Sequence, residues 1–390
     1  MNKKILVISD HQGGGAGHVA IQSGLLLSDQ GYNVDYIFGD DFFKFNAIGY
    51  CCNYSAIDII RKKLAISKPD IILIHNFDHL WSPLFLIEIN KYKEKTGAKV
   101  IMTVHDYHIV SASNSLSYYE NAEKKFFKEP PSFKVLLTKK LDRRSYVYGL
   151  ARLVQWYPYY SVLNLQKTFD HFMCPSEFIY KQVVKRFDPS IVSIVHNPTS
   201  ATISSCQLDN DNDNDNVVIT FAGRLSKDKG IYDFIKSMAD SKLVSPKNIT
   251  INIIGKGPYF NDLEKLVDIL KAQNITIVLH GLQKFEIVKS IFENSTYVLL
   301  PSLCYENAPL TLIEGVFAGC KILTMNYGGM AEIANKLDDS ILMDDFSSTS
   351  IQMVLGKLNT NKEKQATLND FYLDYSNDSY ISKVEKLFHN

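Results

Sequence analysis

Short apolar runs alternate with amphipathic segments along most of the chain. The first apolar runs are residues 5–9, 34–38, 71–75 and 100–104, and amphipathic segments lie between them at 19–30, 57–67 and 84–96. Runs this short, separated by segments with helical periodicity, predict parallel β-strands covered by helices on both faces.

The alternation breaks at residues 107–165 and then resumes. Strands are predicted at 172–175, 192–196, 217–222, 249–254, 275–280, 297–300, 321–324 and 341–342. Helices are predicted at 177–186, 232–239, 260–272, 286–292, 310–318 and 329–335, and residues 371–388 form a last amphipathic segment. The pattern predicts an α/β protein with two doubly wound, Rossmann-like halves.

Length and local composition place the domain boundaries. At 390 residues the chain is longer than a single hydrophobic core normally supports. The alternating Asp/Asn tract at 209–216 cannot bury anything and reads as a linker. We therefore expect a first domain at 1–200 with an insertion at 107–165, a linker at 201–216 and a second domain at 217–370. The segment 371–390 is expected to pack back near the junction of the domains.

Composition is that of an ordinary soluble protein, with 46% apolar and 22% charged residues. The formal net charge is zero, but residues 1–208 carry 24 Lys and Arg against 18 Asp and Glu. The six cysteines show no paired or metal-binding spacing, which favours reduced thiols in the cytoplasm. No apolar run is long enough for a signal-peptide core or a membrane span.

Glycine-rich turns follow several predicted strands. Gly13, Gly14 and Gly15 lie between the first strand and the first helix, where backbone N–H groups can approach a phosphate. The same loop would serve equally as a tight turn. Its spacing is neither the dinucleotide fingerprint nor a P-loop, which disfavours NAD binding and ATP hydrolysis.

The second domain repeats this arrangement with cations added. Gly223, Arg224 and Lys229 follow the strand at 217–222, and Gly255 and Gly257 follow the next strand. An Arg fork beside a Lys point charge suits a diphosphate, although an isolated pair of this kind is more often a solvated turn.

Two carboxylates eight residues apart are the most informative feature of the chain. Glu306 lies in the loop after the strand at 297–300, and Glu314 lies in the helix that follows. His105 and Asp106 close the strand at 100–104 in the first domain. Glu306, His105 and Asp106 follow the carboxyl ends of strands, and the helix that holds Glu314 begins at the same edge, where α/β sheets bind ligands.

Taken together and in order, these elements resemble the retaining family 4 glycosyltransferases of the GT-B fold. The matching elements are Gly13–Gly15, His105-Asp106, Cys174-Pro-Ser176, His196-Asn197-Pro198, Gly223-Arg224 with Lys229-Gly230, Gly255-Lys-Gly257-Pro258, the Glu306–Glu314 spacing, and Gly328-Gly329 with Glu332. The resemblance covers nearly the whole chain, and it implies two Rossmann-like domains facing each other across a cleft.

The resemblance also implies roles for individual residues. Arg224, Lys229, Glu306 and His105 would be the catalytic set, with the two cations on the donor diphosphate and Glu306 on the donor sugar. Glu314 would bind the ribose. The remaining donor-binding positions would be Gly14, Gly15, Gly223, Gly255, Gly257, Asn307, Ala308, Pro309 and Leu310.

The implied reaction is transfer of a hexose with retention of anomeric configuration. The two Glu residues are expected to bind the donor rather than to act as an acid/base pair. No metal and no other cofactor is expected, because Arg and Lys would replace Mg²⁺ at the diphosphate. The chain departs from the common family pattern at Asn307-Ala308-Pro309 and at Gly15-Ala-Gly17-His18.

The segment 124–160 mixes cations with aromatic residues. Residues 124–152 hold nine Lys and Arg against Glu129 and Asp142, and Trp156, Tyr157, Tyr159 and Tyr160 follow. Such a mixture suits an anionic membrane surface, and it would equally suit a solvated insertion whose aromatic residues complete a local core. Nucleic-acid binding is disfavoured because no recognition motif accompanies the patch.

The favoured function is therefore a cytoplasmic glycosyltransferase at the inner face of the membrane. It would transfer a hexose from a UDP-sugar, or secondly from GDP-mannose, to a glycan or lipid-linked oligosaccharide in surface-polysaccharide synthesis. Two alternatives use the same fold: an enzyme of soluble sugars, similar to sucrose synthase or an epimerase, and a non-catalytic regulator that binds nucleotide sugars.

Overall fold

The computed structural model describes residues 3–121, 123–201, 203, 216–241, 245, 247–360 and 365–389. The chain divides into two compact units, which we call unit 1 (Met1–Pro198 with Asn377–Asn390) and unit 2 (Thr199–Ser376). Most of the predicted linker at 201–216 lies outside the described residues.

Unit 1 is built on a six-stranded parallel sheet. Its strands are β1 Lys4–Ser9, β2 Asn33–Phe38, β3 Ile71–Ile74, β4 Lys99–Thr103, β7 His171–Cys174 and β8 Val192–Ile194, in the order β2-β1-β3-β4-β7-β8. Residues 5–8 of β1 and all of β3 are buried, as expected for strands covered on both faces. The strand order reverses between β1 and β3, and such a switch point opens a crevice at the carboxyl edge.

Seven helices accompany this sheet in the described part of residues 3–198. They are α1 Gly14–Asp29, α2 Ala47–Cys51, α3 Tyr54–Ser67, α4 Leu86–Thr96, α5 Phe133–Thr138, α6 Tyr146–Tyr157 and α7 Glu177–Val183. The predicted break at 107–165 holds α5, α6 and the antiparallel hairpin β5 Ser117–Glu120 and β6 Glu123–Phe126.

Unit 2 repeats the design with a second six-stranded parallel sheet. Its strands are β9 Asn216–Ala222, β10 Asn248–Ile254, β11 Ile275–Gly281, β12 Tyr297–Leu300, β13 Lys321–Met325 and β14 Ile341–Met343, in the order β11-β10-β9-β12-β13-β14. The order reverses at β9 and β12, so a second switch point lies between the ends of these strands.

The helices of unit 2 differ from prediction at two places. They are α8 Ile231–Ser241, α9 Phe260–Glu264, α10 Val267–Lys271, α11 Phe285–Glu293, α12 Leu310–Phe317, α13 Gly328–Ala334, α14 Ser348–Lys357 and α15 Gln365–Tyr375. The single helix predicted at 260–272 is two short helices, because the chain tightens where the Leu266 N–H bonds to the Leu263 carbonyl. Helix α14 was not predicted; its Ser347 side chain caps the Ser350 N–H.

The predicted segment 371–388 divides at Ser376 into parts of two helices. Helix α15 places Phe371 and Tyr375 in the core of unit 2, whereas α16 (Asn377–His389) belongs to unit 1. Val384 and Phe388 of α16 lie in one buried cluster with Ile5 of β1. The fold is thus two Rossmann-like units, and the last helix of the chain completes the first.

Two negative findings concern the described residues. No helix there is both long and apolar enough to cross a membrane. Five of the six cysteines are described, at 51, 52, 174, 304 and 320, and each is a free thiol. Cys206 lies outside the described residues.

Candidate active site

The loops at the carboxyl edge of the unit 2 sheet are joined through backbone contacts. The Gly223 N–H bonds to the Ile254 carbonyl at 3.0 Å, and the Leu225 N–H bonds to the Lys256 carbonyl at 3.0 Å. Gly255 has φ +137°, and a Cβ there would lie 1.9 Å from the Gly223 carbonyl oxygen. A Cβ on Gly257 would likewise meet the Leu225 carbonyl at 2.3 Å. Gly255 and Gly257 therefore allow the loops after β9 and β10 to touch.

Lys229 and Glu306 form an ion pair at the switch point of unit 2. The Lys229 Nζ lies 2.6 Å from Glu306 Oε1, and the Ser302 hydroxyl donates to the same oxygen at 2.8 Å. Burial alone would raise the pKa of Glu306, but the Lys229 charge and these hydrogen bonds outweigh it and lower that pKa. Burial alone would lower the pKa of Lys229, but the Glu306 charge and hydrogen bond, together with Cys304 and Asp228, outweigh it and raise that pKa. Both groups are therefore charged at neutral pH.

Arg224 does not join this pair. Its side chain is 75% exposed, and its guanidinium contacts Asp228 at 3.3 Å. The two cations that were predicted together thus differ in setting: Lys229 is held on Glu306, and Arg224 extends into solvent. An exposed guanidinium remains accessible to an anion at this edge of the sheet.

The loop from Glu306 to the start of α12 is held against the start of α13. The Gly329 N–H donates to the Glu306 carbonyl at 2.7 Å, and a Cβ on Gly329 would lie 1.7 Å from the Asn307 carbonyl oxygen. Asn307 is buried, while Ala308, Pro309 and Leu310 are half-buried where α12 begins. The first N–H groups of a helix have no partner within the helix, so this start can donate to a phosphate or sugar.

Glu314 lies one turn into α12 and is separate from the Lys229–Glu306 pair. Its carboxylate has no hydrogen-bond or ion-pair partner among the described residues, and burial raises the pKa of the group to about 7. A half-buried acceptor with a raised pKa is a common feature of binding sites. The structure thus gives the two Glu residues different environments.

At the carboxyl edge of unit 1, Gly14 and Gly15 begin helix α1. A Cβ on Gly13, Gly14 or Gly15 would meet nothing within 4 Å, although Gly14 itself has φ +76°. The start of α1 is therefore open, with room for a ligand against its backbone.

His105 follows β4 and pairs with a second histidine that the sequence did not single out. Its Nε2 lies 2.8 Å from Nδ1 of His75, the residue that follows β3. Burial lowers the pKa of His105 to about 4, and burial with the neighbouring ring lowers that of His75 well below its ordinary value. Both rings are neutral at pH 7, which suits hydrogen bonding rather than charge stabilisation.

Three charged residues beside this pair, Asp10, Asp78 and His79, were also missed, whereas Asp106 had been named with His105. Asp10 follows β1, Asp78 and His79 follow β3, and Asp106 follows β4. The attraction of Asp78 raises the pKa of His79 to about 10, whereas burial and the Asp78 charge raise the pKa of Asp106 to about 8. Their common position after adjacent strands was the signal that could have identified them.

Asp10, Asp78 and His79 bring three potential ligand atoms within 4.8 Å of one another. Asp10 already accepts hydrogen bonds from the backbone N–H groups of His79, Leu80 and Trp81 at 2.9, 2.9 and 3.2 Å. The attraction of Asp78 raises the pKa of the His79 ring, so a metal ion at this group would compete with a proton for the ring nitrogen. The hydrogen bonds to Asp10 stabilise the loop after β3.

Comparison with known proteins finds a family model that matches the second unit and solved structures that share the whole fold. Residues 208–371 match the family model described as glycosyl transferases group 1. A crystal structure of HepE from Anabaena in complex with UDP and glucose superposes with a TM-score of 0.63 over 100% of both chains, at 14% identity. At that identity the likeness shows the fold alone.

Two curated bacterial enzymes match part of the chain. A lipopolysaccharide 1,2-N-acetylglucosaminetransferase of Salmonella typhimurium is 25% identical over 49% of this chain and 53% of its own length. An α-1,4-N-acetyl-D-galactosaminyltransferase of Campylobacter jejuni, named for a glycan on PP-undecaprenol, is 23% identical over 59% of this chain and 62% of its own length. The chain thus aligns with little more than half of each relative. The fold is GT-B, and these matches support a glycosyltransferase of group 1.

Proposed function

We propose that the protein transfers a hexose from a nucleotide-diphosphate sugar to a glycan or lipid-linked acceptor, with retention of anomeric configuration. The observation that carries the proposal is the Lys229–Glu306 pair at the switch point of unit 2. It places a cation and a carboxylate where an α/β sheet binds its ligand. A donor supplies matching groups, namely an anionic diphosphate and the hydroxyls of a sugar.

Each residue of the site then has a role. Lys229 and Arg224 bind the diphosphate and stabilise the charge that develops as it leaves. Glu306, released from Lys229 by the diphosphate, accepts hydrogen bonds from the sugar. Glu314 accepts from the ribose, and the start of α12 donates to sugar or phosphate. Neutral His105 hydrogen-bonds near the reacting carbon, and the rate enhancement comes from positioning and charge stabilisation.

The donor that we favour is a UDP-sugar. The Anabaena neighbour was solved with UDP, with UDP and glucose, and with UDP-glucose. The curated relatives are named for transfer of N-acetylhexosamines. These names support a UDP-linked hexose or hexosamine, whereas GDP-mannose has no such support. One relative is named for lipopolysaccharide and another for an undecaprenol-linked glycan, which supports a glycan or lipid-linked acceptor. We propose that the enzyme meets this acceptor at the inner face of the membrane.

A thermal-shift screen tests the donor assignment. UDP, GDP and dTDP, each with and without a sugar, are added to the protein, and the correct donor raises Tm because it binds only the folded state. A ligand at 100 times its Kd stabilises by about 2.7 kcal/mol. A flat response to every nucleotide would contradict the proposal.

Transfer assays test the chemistry. Proton NMR of the first product reports the anomeric configuration, and an inverted linkage would exclude retention. Activity should persist in EDTA, because Lys229 and Arg224 are proposed to serve in place of Mg²⁺. Loss in EDTA that added Mg²⁺ restores would overturn metal independence.

A further inference from the structure

We propose that the outer face of α6, together with α2, docks on an anionic lipid bilayer. The exposed side chains of α6 include Val147, Leu150, Val154 and Tyr157, with 73%, 52%, 55% and 41% of each exposed. Their spacing of three, four and three residues places them in one stripe along the helix. The outward face of a surface helix is normally polar, so an apolar stripe marks a site of contact with a partner.

The inner face of α6 is fully engaged, so the helix cannot turn to hide the stripe. Leu153 and Trp156 are buried, and the Gln155 amide donates to the carbonyls of Tyr50 and Asp78 at 2.7 Å each. The Trp156 indole donates to the His108 carbonyl at 2.7 Å. These bonds fasten α6 to the loops that follow β3 and β4.

Helix α2 extends the apolar surface beside α6. The Tyr159 hydroxyl, just after α6, donates to the Cys51 carbonyl at 2.8 Å and holds the two helices together. Ile48 of α2 is 81% exposed, and Phe45 and Tyr54 beside it are also exposed. Residues 42–54 and 135–163 hold 14 of the 23 exposed large apolar side chains in the described part of the chain. The surface is therefore a concentrated patch rather than scattered side chains.

The positive charge near the stripe indicates an anionic partner. Residues 133–163 carry six Lys and Arg against one acid, Asp142, which is held by Arg144 and Arg152. Lys134 and Arg143 are exposed and have no side-chain partner among the described residues. Cations around an apolar stripe match anionic headgroups above an acyl layer. A second copy of the same face would bring like charges together.

The structure reduces the set of residues within 124–160 that can contact a membrane. Trp156, Tyr159 and Tyr160 belong to the core, so they cannot enter a bilayer. Through Gln155 and Trp156 the stripe is attached to the carboxyl edge of unit 1, where His105 lies. The choice of a bilayer rests on the proposed function, since a lipid-linked acceptor would be presented there; the exposed stripe does not depend on it.

Vesicle co-sedimentation tests the surface without any measurement of activity. The full chain is mixed with vesicles of phosphatidylcholine alone or with phosphatidylglycerol, at low and high salt. The test variants are Leu150→Glu with Val154→Glu, and Lys134→Glu with Arg143→Glu. The apolar control is Ile269→Glu with Leu373→Glu, at exposed apolar residues of unit 2. The charge control is Lys62→Glu with Lys95→Glu, at exposed cations of unit 1 that have no side-chain partner among the described residues. Melting curves check the fold of each variant.

We expect the wild type to bind phosphatidylglycerol vesicles and to be released by salt. Each test pair should lower the partition coefficient by at least about tenfold, and the controls should stay within about twofold. Absence of binding, or equal binding by test and control variants, would overturn the proposal. So would a dimer that Leu150→Glu with Val154→Glu dissociates, since the face would then belong to a second copy. Donor-induced stabilisation without vesicles reports separately on the proposed function.

Discussion

Both sheets are parallel and six-stranded, but the charged residues at their carboxyl edges have different partners. In unit 2 the central cation, Lys229, has one carboxylate partner, and Arg224 extends into solvent. In unit 1 the Asp10 and Asp78 carboxylates face the His79 ring, and the Asp10 carboxylate also accepts hydrogen bonds from backbone N–H groups. The unit 2 edge can therefore exchange its partners for a ligand. The unit 1 edge uses its charges to hold its own loops in place.

Replacing Lys229 with Ala should have the largest effect. The variant lacks the Lys229 cation that is proposed to stabilise the leaving diphosphate, so kcat should fall by about 10²–10³, as it does when one preorganised donor is removed. The measurement is the initial rate of nucleotide release at saturating donor, with a melting curve for the fold. Lys227→Ala is the matched control, since Lys227 is 60% exposed and pairs with Asp233. Unchanged turnover in Lys229→Ala would remove the distinction between the two edges.

Replacing Gly329 with Ala tests whether the unit 2 edge depends on close backbone contact. The new Cβ would overlap the Asn307 carbonyl, so the loop that carries Glu306 must shift, at a cost of about 1–3 kcal/mol of stability. Chemical denaturation measures this change, and donor affinity should fall with it. Gly356→Ala is the control, because its Cβ would meet nothing within 4 Å and α14 should tolerate it. Equal stability of the two variants would contradict the proposed contact.

Replacing Asp10 with Asn should affect stability and leave donor binding unchanged. The amide would turn an N–H donor toward backbone N–H groups that now bond to a carboxylate, at a cost of about 1–3 kcal/mol. Asp58→Asn, at an exposed pair with Arg61, should have little effect. A large loss of donor affinity in Asp10→Asn would show that the unit 1 charges serve the donor after all.

Replacing Glu314 with Gln should give the smallest effect, visible in pH dependence. Because its folded pKa is about 7 against an ordinary 4.5, the carboxyl favours folding below about pH 4.5 and loses that advantage as pH rises through 7. The Tm of the Gln variant should therefore exceed that of the wild type at pH 8 and match it near pH 4. The wild-type KM for donor should rise below pH 7, and the variant should be flat. Parallel profiles would argue against the ribose role.

The sequence predicted individual site residues better than it predicted the side chains that contact them. Lys229 and Glu306 were both predicted as site residues, but their ion pair spans 77 positions and depends on how two loops fold. His75, 30 residues from His105, carried no local signal. The sequence did not show which aromatic residues of 146–160 are buried, because helix packing alone makes Tyr157 exposed and Tyr160 buried. Strands were predictable because buried runs of Ile, Leu and Val between turns have few other solutions.

Helix α16 has a consequence for how the chain folds during synthesis. Its side chains pack in one cluster with Ile5 and Val7 of the first strand, yet they are made only after residues 199–376. The apolar surface of unit 1 that α16 covers therefore stays exposed until the residues after Ser376 have been synthesised. Unit 1 is completed only after the residues of unit 2 have been made, and removal of α16 should destabilise unit 1 because it exposes the cluster around Ile5 and Val7.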